Sequence, residues 1–132
     1  MAVSQITREL HYPIQQVWSV VTNLEDTSWR SDLARVEVLS KTTFVEYTKS
    51  GFATTFTVTA CEKPTFWAFR MENENMSGHW EGRFASTKAG TQVTFVESVT
   101  AKRWWMRPLV PGYLKRQQKA YLADLAKKLD GK

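Results

Sequence analysis

Glu97 is the residue whose position most invites chemistry. Val93, Phe95 and Val99 alternate with Thr94, Val96 and Ser98, and Glu97 shares the parity of the apolar set. A regular half-buried strand therefore points it inward. An inward carboxylate has to be paired or neutral, because an unpaired buried charge is costly. Two arrangements meet that condition. Glu97 forms a structural pair with Arg8, which shares parity with Ile6 and Leu10 on a first strand. Alternatively its pKa rises and it serves as a general acid/base or as a hydrogen-bond partner for a ligand. A bulge in the last strand would turn it to solvent and remove both. Tyr47 is a second polar candidate. It either sets its hydroxyl at a cavity mouth or is an ordinary residue of an amphipathic strand.

Other chemistries find little support. His11, His79 and the single cysteine, Cys61, have no metal-ligand spacing. His79 shares parity with Glu81 and Arg83, so it belongs to an outer face. Cys61 reads as a small buried filler, and one cysteine excludes an intramolecular disulfide framework. No Ser-His-Asp or Cys-His arrangement and no glycine-rich phosphate loop is found. No cofactor or metal is expected.

The elements that would position these residues are legible from periodicity. Val3 to Leu10 reads as a strand. Pro13 opens a helix whose apolar stripe is Ile14, Val17, Trp18, Val21 and Leu24. A second short helix or turn covers Asp26 to Asp32 and carries Trp29. From Arg35 to Ala101 the period changes to two. Phe56 and Val58 alternate with threonines; Trp67, Phe69 and Met71 follow, then Trp80 and Phe84, then Val93, Phe95 and Val99. Consecutive strands joined by short loops must pair antiparallel. Their apolar face requires a cover. Pro108 and Pro111-Gly112 interrupt any earlier helix, and from Tyr113 an amphipathic helix of about 17 residues supplies the cover, with Leu114, Gln118, Tyr121, Leu122, Leu125 and Leu129 on one side. The aromatic set on the sheet is either a filled core or the wall of a small-molecule cavity. As a wall, its ligand-facing members are Trp18, Trp29, Tyr47, Phe56, Trp67, Phe69, Met71, Trp80, Phe84, Phe95 and Tyr121.

Composition bounds the rest. With 132 residues, 42% hydrophobic and 23% charged, the chain is a globular domain rather than a disordered one. No stretch approaches a spanning helix, and the first residues resemble neither a signal peptide nor an anchor, so a cytoplasmic location is expected. The net charge of +5 is lopsided. Residues 1–100 hold nine Lys/Arg and eleven Asp/Glu, whereas residues 101–132 hold nine against two. In AKRWWMRP, residues 101–108, Lys102, Arg103 and Arg107 surround Trp104 and Trp105. Adjacent tryptophans cannot both be buried on one face, so this segment is a gate, or packing under the final helix, or a membrane-contact site, or a stacking surface for RNA. Lys115, Arg116 and Lys119 extend the basic patch toward an anionic membrane or a ribosome; DNA is not expected.

Residues 12–39, YPIQQVWSVVTNLEDTSWRSDLARVEVL, resemble the opening of the polyketide cyclase/dehydrase branch of the START-like (Bet v 1-like) superfamily. The shared features are Pro13, Val17-Trp18, the acidic turn Leu24-Glu25-Asp26, and Trp29. SGHWEGRF (77–84) and GTQVTF (90–95) are similar to the family's late strands. The family often has a proline soon after the tryptophan; this chain has Trp29-Arg30-Ser31. The resemblance implies an α+β helix-grip fold over residues 1–132: a curved antiparallel sheet of about seven strands wrapped around a long C-terminal helix, with two short helices after the first strand. It also implies a cavity between sheet and helix for a lipid, quinone or polyketide-like ligand. Other members do cyclase or dehydratase chemistry, for which Glu97 is the acid/base candidate here, or act through an outer surface.

Overall fold

The computed structural model describes residues 2–131. The chain runs β1 (Ala2–Leu10), α1 (Ile14–Thr22), β2 (Leu33–Val38), β3 (Thr43–Thr48), β4 (Ala53–Glu62), β5 (Phe66–Glu72), β6 (Met76–Ser86), β7 (Thr91–Ala101), a 3-10 helical segment (Trp104–Leu109) and α2 (Val110–Leu129). All seven strands join one antiparallel sheet in the order β1-β7-β6-β5-β4-β3-β2. From β2 to β7 each strand pairs with the next along the chain, as short connections require. β1 closes on β7 at the far edge, so the first strand of the chain pairs with the last. This is the helix-grip architecture: α2 lies across the concave face, against β1 and β7.

Two expected features differ. Only α1 follows β1; residues 24–32 form turns. Short polar side chains there bond to the backbone in place of helical partners. Asn23 Oδ1 accepts from the Glu25 N–H at 3.0 Å, and Asp26 Oδ1 accepts from the Ser28 N–H at 3.3 Å and the Ser28 hydroxyl at 2.7 Å. The final helix begins at Val110 rather than Tyr113. Pro111 sits in its first turn, where a missing N–H removes no helical hydrogen bond, so it opens the helix instead of interrupting it.

The interior has a solid end and an open end. Where α1 leans on α2 and β6 the core is filled: Val17, Val93, Leu122 and Leu125 are fully buried, and Trp18 meets Phe84 edge to face at 5.2 Å. Along β6, Gly82 makes room for Trp80. A Cβ at Gly82 would lie 2.5 Å from the Trp80 ring, so the indole lies over the glycine. A second small cluster, Val99, Ala101, Val110 and Leu114, seats the start of α2. Between these packed regions the sheet and helix part. Cys61 is exposed, not a buried filler. Pairing with β3 stops at Thr57, so the last residues of β4 have no neighbour on that side.

Candidate functional site

The gap between the sheet's concave face, α2 and the 23–33 segment is a half-open cavity of about 240 Å³. Its walls are rings. Phe44 stacks on Phe56 at 5.0 Å, Phe69 stacks on Trp80 at 4.8 Å, and Phe95 meets Tyr121 edge to face at 5.6 Å. Eight of the aromatic and methionine candidates line it: Trp29, Phe56, Trp67, Phe69, Met71, Trp80, Phe95 and Tyr121. Trp18 and Phe84 do not; they are consumed in the packed end against each other. Tyr47 does not either. Phe44, Glu46 and Thr48 face the cavity, so the pleat sends Tyr47 to the opposite face, where the Arg35 guanidinium covers its ring at 3.9 Å.

Glu97 lines the cavity. Its register partners are Ser4 on β1 and Trp80 on β6, and no bulge interrupts β7. The expected pair with Arg8 is absent. Arg8 is exposed and sits opposite Val93, four residues along the strand from Ser4. Among the described residues no side chain hydrogen-bonds the Glu97 carboxyl group. Burial, reinforced by the nearby Glu46 charge and opposed by Arg30, pushes its pKa up to about 7.

A charge cluster that sequence reading missed sits beside it. Arg30 donates from Nε and Nη2 to both oxygens of Asp32, at 3.1 and 2.9 Å, and from Nη1 to Glu46 Oε2 at 3.1 Å. Its guanidinium carbon also lies 5.0 Å from the centre of the Tyr121 ring. Burial works against the charge on Arg30, but Glu46 and Asp32 outweigh it and raise its pKa. Burial raises the Glu46 pKa, with Arg30 opposing. Glu46 could have been found from parity, since it lies two residues from Phe44. Arg30 had no such signal, because turns carry no periodicity.

Gln118, placed by its helical spacing on the covering side of α2, fastens the helix to the sheet. It accepts from the Ser4 hydroxyl at 2.8 Å and donates to the carbonyls of Ser4 and Phe95 at 3.0 and 3.3 Å. The Trp29 indole N–H is buried without a hydrogen-bond partner, and the ring packs edge to face on Tyr121 at 5.3 Å. At the same end of α2, burial raises the pKa of Tyr113, whose hydroxyl accepts from Gln117 at 3.2 Å.

The opposite face of the sheet holds a broader, more open trough of about 770 Å³, lined mainly by Thr, Ser, Arg70, Glu72 and His79. His79 lies there, 3.8 Å from Glu81. Too few apolar side chains face this trough to hold an apolar molecule. Trp104, Trp105 and Leu109 are 77%, 55% and 64% exposed, so the segment is not packed under α2 as a gate would be. Lys102, Arg103 and Arg107 flank it in sequence and are exposed, with Lys102 paired to Glu72 at 3.1 Å; Arg116 and Lys119 are exposed on α2, while Lys115 donates to the Gln5 carbonyl at 2.6 Å. No helix among the described residues is long and apolar enough to cross a membrane.

Comparison with known proteins agrees with this geometry. The family described as polyketide cyclase/dehydrase and lipid transport matches residues 1–130. The chain belongs to that family. Its fold superposes on that of a START superfamily protein from Mycobacterium smegmatis with a TM-score of 0.90 at 10% identity, covering 99% of both chains. A conserved protein from Geobacillus kaustophilus gives a TM-score of 0.82 at 12% identity, covering 98% of this chain and 94% of that one. DynU16, from the dynemicin biosynthetic locus, gives 0.80 at 13% identity; 98% of this chain covers 48% of it. At such low identity these superpositions show the fold alone. No curated protein matches in sequence.

Proposed function

We propose that this family member binds a small, largely apolar molecule in the cavity between the sheet and α2. The observation that carries the reading is the open, ring-walled space inside an otherwise filled interior. Enclosing an apolar ligand there gains about 25 cal/mol per Å² of apolar surface removed from water. The lipid, quinone and polyketide-like classes all suit such walls; the polar end, with Glu97, discriminates among them. The test is thermal unfolding with a panel of apolar compounds. A compound present at about 100 times its Kd should stabilise the protein by about 2.7 kcal/mol. A panel spanning these classes that leaves the melting temperature unmoved counts against the reading.

Two additional activities have specific support. Near neutrality Glu97 populates both protonation states, which suits a general acid/base in cyclase or dehydratase chemistry. On that reading Glu97→Gln abolishes turnover of a bound polyketide while the complex still forms. The exposed Trp104, Trp105 and Leu109, with exposed Lys102, Arg103 and Arg107 next to them in sequence, suit the surface of an anionic bilayer, where indoles enter the headgroup layer and cations pair with lipid charge.

A further inference from the structure

We infer that the cavity takes an arylalkyl amine, with its flat body between the ring walls and its protonated nitrogen set against the Glu97 carboxyl group. This rests on the ligand-binding reading above and narrows it.

The cavity's charges are unbalanced. Asp32, Glu46 and Glu97 line it with carboxyl groups, and Arg30 is the one cationic side chain among the described lining residues. Arg30 has little left to offer a ligand. Its Nε, Nη1 and Nη2 all donate to Asp32 and Glu46, at 2.9 to 3.1 Å for the three strongest contacts and 3.4 Å for a fourth. A fatty acid or phosphate entering the cavity would therefore find its only counter-charge already held in a fork, and would face a third carboxyl group. Glu97 is the opposite case, with no partner among the described side chains. Once Glu97 is ionised, its carboxylate is the one charged group of the cavity left without a partner among the described residues, beside the unpartnered Trp29 indole N–H, a neutral donor.

The walls favour the same occupant. Phe44, Phe56, Phe69, Trp80 and Phe95 line the cavity, and an aromatic lining attracts an organic cation through the negative π density of its rings. A cation excluded from water interacts with a carboxylate more strongly than it would at the surface.

The groups facing Glu97 fix the pH response. They are Arg30 and Asp32 from the turn segment, Glu46 from β3, and Tyr113 and Tyr121 from α2, with neutral Ser4 and Trp80 on the flanking strands. Burial raises Glu97 to about 7. An ammonium group bound beside it favours the ionised form, so below that pH the complex forms with release of the Glu97 proton to solvent. Affinity for the amine therefore rises as pH increases through neutrality. A neutral isostere has no such dependence on Glu97.

Calorimetric titration with three probes of one shape tests this: naphthylmethylamine, naphthylmethanol and naphthoate. At pH 8 the amine should bind about tenfold more tightly than the alcohol, and naphthoate more weakly than either. The advantage of the amine should shrink toward pH 6 in the wild-type protein, and in Glu97→Gln the amine-to-alcohol ratio should fall to about one at both pH values. The wild-type pH profile stands alone as a test should the variant fold poorly. Equal affinity for amine and alcohol at both pH values, or a preference for naphthoate, would overturn the amine assignment while leaving the cavity reading intact. Failure of all three probes to bind would overturn both.

Discussion

Glu97 is held in an environment that opposes its own charge, and this has a consequence for stability. Its pKa in the folded protein is about 7, above the ordinary carboxylate value of the unfolded chain. Between those two values the native state keeps a proton that the unfolded chain has released. Raising the pH through that window therefore lowers stability. Glu97→Gln removes the effect. In urea unfolding, the variant should match the wild-type protein near pH 4 and exceed it by about 1–3 kcal/mol at pH 8. A difference that does not change with pH would contradict the burial of this carboxyl group. Some slope of the same sign will remain in the variant, because burial also raises Glu46. The orientation of Glu97 was readable because β7 runs without a bulge, so parity held over its whole length. Tyr47 was misread because no phase was assigned to its short strand; Phe44 sets it, and the same phase would have turned Glu46 inward. The Arg30 cluster was not readable from periodicity. It joins a turn to a strand sixteen residues away, and its partners share no repeating pattern.

At the scale of elements, the grip of α2 on the sheet depends on a polar clasp within an apolar seam. Gln118 and Ser4 are buried and satisfy each other. Gln118→Leu keeps the bulk but strands the Ser4 hydroxyl and the carbonyls of Ser4 and Phe95. It should destabilise the fold by about 1–3 kcal/mol, seen as a lower midpoint in chemical denaturation. Ser4→Ala in the Gln118→Leu background should recover part of the loss, since the stranded hydroxyl is then gone; no recovery would place the damage elsewhere. The strands and this helix were legible because alternation and a 3.6-residue stripe survive over six or more positions. The segment after α1 was open between a short helix and a turn, and turns form: Asn23 and Asp26 capture backbone N–H groups locally, which a pattern of apolar residues does not reveal. The start of α2 was misplaced for a related reason. Proline reads as a breaker in sequence, and its effect depends on where in the helix it falls.

At the scale of the whole molecule, charge and hydrophobicity divide the surface. The positive excess lies in residues 101–132, beside the exposed Trp104 and Trp105. If that patch meets a bilayer, the protein should cosediment with vesicles containing phosphatidylserine and much less with phosphatidylcholine vesicles. Added salt should weaken the binding. Exchanging Trp104 and Trp105 together for alanine should abolish it without lowering the melting temperature, because neither ring is part of the core. Retention of binding in the double variant would assign the contact to charge alone. Sequence placed tryptophans and cations side by side, but only the fold shows both indoles in solvent. The claim on which the functional reading rests is that the ring-walled gap is a binding cavity. Native mass spectrometry of the protein purified from its own cells tests it most directly. A population heavier by one discrete small-molecule mass, reduced to the bare chain mass after denaturation, is the expected result. The bare chain mass alone under gentle conditions, with the gap filled by rearranged side chains in a crystal of the same preparation, would contradict it.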